Sequence, residues 1–89
     1  MTQFNKDPMA VKDYGFDWGL WMSSGDTISS SVFSAGGSCA ITSSSVSSYQ
    51  TVTFVGSGVP GETNKITNRI VTSQGRTEEK SFDLRIINL

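Results

Sequence analysis

The chain is 89 residues long and carries a formal net charge of −1, with one cysteine and no histidine. That length builds one modest hydrophobic core, and the missing imidazole removes Ser-His-Asp and Cys-His nucleophile pairs, histidine metal sites and histidine pH switches together. A net charge so near zero withholds the electrostatic drive of non-specific nucleic-acid binding, and the lone Cys39 excludes an internal disulfide or a cysteine metal cluster.

Period-two alternation recurs along the chain and helical periodicity does not, so the reading is all-β. Residues 1–9 carry no strong pattern and read as an extended N-terminal arm of a single domain covering 1–89. Tyr14, Phe16 and Trp18 share one face of a first strand, with Asp13, Gly15 and Asp17 on the other, and Leu20 prolongs the apolar face. Residues 21–26 form a corner, 27–33 a second strand, and Gly36-Gly37 break the chain. Two short strands follow at 38–42 and 45–49, the second weakened by its serines, and 50–55 makes a better one. In the first of them Cys39 falls on the side of Ile41 and reads as a small core residue. After the loop at 56–61 comes a strand at 63–72, where Ile66 and Ile70 share a face with Asn68 between them. Residues 73–76 turn the chain into a last strand at 77–87, with Phe82, Leu84 and Ile86 inside and Ser81, Asp83 and Arg85 outside. About seven short strands with regular turn signals predict an immunoglobulin-like two-sheet β-sandwich, without the Cys…Trp…Cys signature of antibody domains.

From residue 27 to residue 61 no side chain is charged; serine, threonine and glycine fill the stretch, with isolated apolar residues among them. Exposed strand edges are normally guarded by Lys, Glu or Pro, so an uncharged sheet is expected to be covered by a partner or by its own loops. The charges elsewhere are uneven: two lysines against five acids as far as Glu62, then five Lys or Arg against three acids.

Gly56-Ser57-Gly58-Val59-Pro60-Gly61 matches the dinucleotide fingerprint literally, but that motif must open a helix, and the residues after it alternate as a strand. Asp13 and Asp17 stand roughly 13 Å apart on an extended strand, too far to share a metal or a proton. Asp26, between Gly25 and Thr27, reads as a turn residue bonded to its own backbone. The many serines have no general base beside them. Tyr14, Phe16 and Trp18 belong in the core, whereas Trp21 lies off their register and is a candidate for an exposed contact. The N-terminus has no signal-peptide core and no apolar run reaches membrane-spanning length. Membrane, metal and cofactor are therefore absent from the expected partners.

Two segments carry a resemblance. Lys6-Asp7-Pro8 leads through Asp13-Tyr14-Gly15-Phe16-Asp17-Trp18 to Gly25-Asp26-Thr27-Ile28. Ile66-Thr67-Asn68-Arg69-Ile70-Val71-Thr72-Ser73-Gln74-Gly75-Arg76-Thr77 is followed by Ser81-Phe82-Asp83-Leu84-Arg85-Ile86. Together they resemble a family of small structural proteins of tailed bacteriophages. The resemblance implies an immunoglobulin-like, non-enzymatic virion protein of the tail or head-to-tail region, of the knob or decoration type, assembled in the host cytoplasm. Its implied partners are other virion proteins, in one or several copies per particle, and it gives Arg69 and Arg76 no role beyond stabilising the last hairpin or docking. The candidate contact residues are Trp21, Ser44 and Ser47. The alternative function is a glycan-binding or adhesion module recognising host surface polysaccharide through Trp21.

Overall fold

The structure, a computed structural model, describes residues 3–88. Seven strands run in chain order: β1 (Gln3–Lys6), β2 (Lys12–Asp17), β3 (Ile28–Ala35), β4 (Cys39–Val46), β5 (Gln50–Ser57), β6 (Thr63–Thr72) and β7 (Thr77–Ile86). They form a four-stranded sheet ordered β1-β7-β6-β3 and a three-stranded sheet ordered β2-β5-β4, and no helix occurs among the described residues. All pairings are antiparallel except β1 with β7.

The alternation read from the sequence sets the inward faces. β6 buries Asn64, Ile66, Asn68, Ile70 and Thr72, and β7 buries Phe82, Leu84 and Ile86; β5 adds Thr51, Thr53 and Val55 from the opposite sheet. Phe33 and Cys39 close the main cluster, with Tyr14, Phe16 and Ile41 packed against it. Burial pushes the Cys39 thiol pKa upward, as expected of a cysteine used for packing. A second cluster gathers Trp18, Ile28 and Ile70, with Trp21 and Met22 at its margin.

Three local expectations differ from the fold. Residues 38–42 and 45–49 are not separate strands: β4 runs unbroken from Cys39 to Val46, because a bulge at the Ile41/Ser43 register shift lets it stay paired with β5. The chain then reverses within 47–49, where Ser47 N–H donates to Gln50 O (2.8 Å). Leu20 does not prolong the apolar face of β2 and is fully exposed. The strand ends at Asp17, whose Oδ1 accepts from Gly19 N–H, and Trp21 and Met22 N–H both donate to Trp18 O, so a tight turn breaks the alternation. Of the segment read as an arm, Gln3–Lys6 is extended and lies along β7.

Lys6 helps to hold that strand. Its side chain is buried, and Nζ donates to Asp7 O (2.8 Å) and to Ser57 O (2.6 Å). Ser57 presents its carbonyl from a left-handed conformation, φ 62°, uncommon for a residue with a Cβ.

Candidate interaction surface

The outward residues of the two sheets differ in kind. On the four-stranded sheet, Lys65 stands opposite Asp83 and Arg69 opposite Glu79, with Thr67 opposite Ser81 between them. The Arg69 and Glu79 side chains approach to 3.8 Å, both largely exposed. This is a solvated, self-paired charged face of the kind that contributes little to stability.

On the three-stranded sheet, the central strand β5 turns Val52 and Phe54 outward, with Phe54 43% exposed. Ser43 and Ser45 of β4 flank them on one side and Asp13 and Gly15 of β2 on the other. Val11, just ahead of β2 and 60% exposed, extends the apolar strip. A Cβ placed on the outward-facing Gly56 would lie 3.4 Å from Val11 Cγ2 and 3.3 Å from Thr42 Cγ2. On β4 and β5 this face has no charge; Asp13 and Asp17 stand at its β2 rim.

The charge-free stretch supplies the β4 and β5 parts of this face and more. Of its three strands, only β5 is central; β3 and β4 are edge strands of opposite sheets and touch each other, so both uncharged edges lie on one flank. Ser44 and Ser47 are exposed there, on β4 and in the turn that follows it. Ser47 also lines a surface hollow of about 550 Å³ with Asp17, Gly19, Ser48, Tyr49 and Gln50.

Three connections are laced together at that end. Trp18 N–H donates to Tyr49 O (2.8 Å), Ile28 N–H to Ser48 O (2.9 Å) and Ser73 N–H to Thr27 O (2.8 Å). Beneath them Asp26 is fully buried. Its Oδ1 accepts from Thr27 N–H (3.0 Å), Ser73 Oγ (2.9 Å) and Gln74 N–H (3.2 Å), and its Oδ2 from Arg76 Nη1 (3.1 Å). Burial alone would raise the carboxyl pKa, but hydrogen bonds from Thr72, Ser73, Gln74 and Arg76 outweigh it and lower the pKa from 3.8 to about 2. Asp26 thus bonds its own backbone, as read from the sequence, and also clamps the last hairpin turn. Trp21 is half-buried, its ring 5.7 Å from that of Trp18 at a 73° tilt.

A buried polar network was not legible beforehand. Trp18 Nε1 donates to Asn68 Oδ1 (3.1 Å), which also accepts from Thr51 Oγ1 (2.7 Å). Asn68 Nδ2 donates to Ser31 Oγ (2.9 Å) and Val32 O (3.2 Å). One amide so ties β3, β5 and the residue after β2 to β6. The sole hint was an asparagine on the face shared by Ile66 and Ile70.

Two sheets closed over one polar network, with one face of paired charges and one without charge on β4 and β5, define a small two-sheet β module. The glycine-rich loop joins β5 to the strand β6, where a dinucleotide site would need a helix. Residues 6–85 match the family model described as podophage GP4 fiber-tail adaptor protein gp77, and the chain belongs to that family. It is a phage tail accessory protein, structural in kind, and its place is the virion. No curated protein matches the chain.

Proposed function

We propose that this protein is a non-enzymatic adaptor acting as a single immunoglobulin-like domain over residues 1–89, assembled in the host cytoplasm and binding neighbouring tail or fibre proteins through its uncharged flank. One observation carries the reading. The charge-free stretch, instead of being scattered, supplies two adjoining sheet edges and most of the outer face of the three-stranded sheet, opposite the face that carries the paired charges of β6 and β7. Desolvating hydroxyl groups and small apolar side chains costs far less than desolvating ions. Ser44 and Ser47 lie in that contact, and Trp21 stiffens the loop end beside it.

Cross-linking of purified particles through backbone-insertable or photoreactive groups at positions 44 and 47, read by mass spectrometry, tests this. Links from those positions to a different virion protein are expected. Absence of the chain from particles, or no link from either position to another virion protein, would overturn it.

A further inference from the structure

The β3 edge is open in a defined way. Gly36 N–H donates to Lys65 O (2.9 Å), which sets the phase of the antiparallel ladder with β6: Ser30, Val32 and Ser34 bond to β6, whereas Ser31, Phe33 and Ala35 turn their N–H and C=O groups outward. The outward N–H of Ile28 in the same phase is already taken by Ser48 O (2.9 Å). On the outward side of Ser31, Phe33 and Ala35 no strand is paired.

Above this edge β4 overhangs. Ser44 and Val46 face inward, opposite the fully buried Thr53 and Thr51, yet both are exposed, Val46 at 48%. Along the inward side of β4, burial falls away from Cys39 through Ile41 to Ser44 and Val46. The larger sheet thus stops short of covering β4, leaving a step one strand wide beside β3. Val32, 63% exposed, borders it from the outer side.

We propose that this step receives one extended, uncharged segment of another virion protein, which adds to β3 antiparallel or parallel as a fifth strand and covers the inner side of β4. The proposal rests on the adaptor reading and specifies its contact. Two features choose the occupant. β3 and β4, the two strands such a segment would touch, carry no charged side chain, so a charge on its side toward β4 would lose hydration without a counter-ion; the neighbouring charge is Arg69, opposite Val32 on the outer face. A second copy is the poorer occupant, because it would bring its own β4, which lies against its β3, up to the same overhang.

The test is hydrogen–deuterium exchange on peptides spanning β3, in the isolated full-length protein and in purified particles, together with Ala35→Pro and Ser44→Lys. Ala35→Pro removes an outward N–H that β6 does not use, and Ser44→Lys places a cation in the step. Fast exchange of the outward half of the β3 amides in isolation, their protection in particles, and loss of both variants from particles with an unchanged thermal transition are expected. Particles that contain the protein with β3 still unprotected, or that incorporate both variants normally, would overturn strand addition while leaving the adaptor reading intact. A protein missing from particles would sink the adaptor reading itself. An isolated protein that is dimeric with β3 protected would make a second copy the occupant and overturn the proposal.

Discussion

The Arg76 guanidinium meets the Asp26 carboxylate at 3.1 Å across 50 positions of sequence, with Asp26 wholly buried and Arg76 half in solvent. The pair joins the connection before β3 to the turn between β6 and β7. Removing one member of such a pair leaves its partner's polar groups unsatisfied, which costs more than the pair's net worth.

Asp26→Asn is therefore expected to lower the thermal midpoint more than Asp13→Asn or Asp17→Asn, whose side chains sit on exposed positions of β2. The acid profile gives a sharper check. The Asp26 pKa falls from 3.8 to about 2 on folding, so its stabilisation is complete above 3.8 and is lost as pH drops through about 2. Differential scanning calorimetry should show the native protein weakening across that window, and Asp26→Asn with a flatter profile.

Asn68→Ala strips the amide from Trp18, Thr51, Ser31 and Val32 at once. A loss of about 2–4 kcal/mol is expected, from several buried groups left unpaired together. Urea titration followed by Trp fluorescence measures it, and a loss below that of a surface substitution would show that the network contributes nothing.

Gly58 and Gly61 separate steric from conformational cost within one loop. Both have positive φ, 120° and 91°, but a Cβ at Gly58 would lie 2.7 Å from Ile86 Cδ1, whereas nothing lies within 4 Å of one at Gly61. Gly61→Ala carries only backbone strain, about 1–3 kcal/mol. Gly58→Ala should cost more, by about 1–3 kcal/mol of overpacking. Comparing the two denaturation midpoints decides it.

Ser44→Lys and Ser47→Lys should change stability by less than about 0.5 kcal/mol, as exposed substitutions do, yet reduce incorporation into particles. Thr67→Lys, on the charged face, should change neither. Quantifying the protein in purified particles against its thermal midpoint separates assembly from folding.

How far the fold was legible follows from the range of each determinant. Phe82, Leu84 and Ile86 announced β7 because alternation is a local property. β1 was silent: four residues paired in parallel with β7 carry no pattern of their own, and aromatic contact of Phe4 with Phe82 and the buried Lys6 ammonium hold them instead. The serines of 43–45 hid the continuity of β4, since their weak strand preference is overridden by the ladder to β5. Ser44 and Ser47 could be named as uncharged and near a sheet edge; that the backbone of Ser44 faces the open side of β4 needed the pairing.

By itself, the sequence determined an all-β chain without histidine, with one cysteine and with a long stretch from which charge is missing. Alternation, turn residues and composition suffice for that, because each acts within a few positions. The tertiary structure alone decided that β3 and β4 are edges and β5 is not, that both edges share one flank, and that Asp26 is buried against Arg76. Edge and centre are relations between strands far apart in sequence, and no local pattern encodes which neighbour a strand acquires.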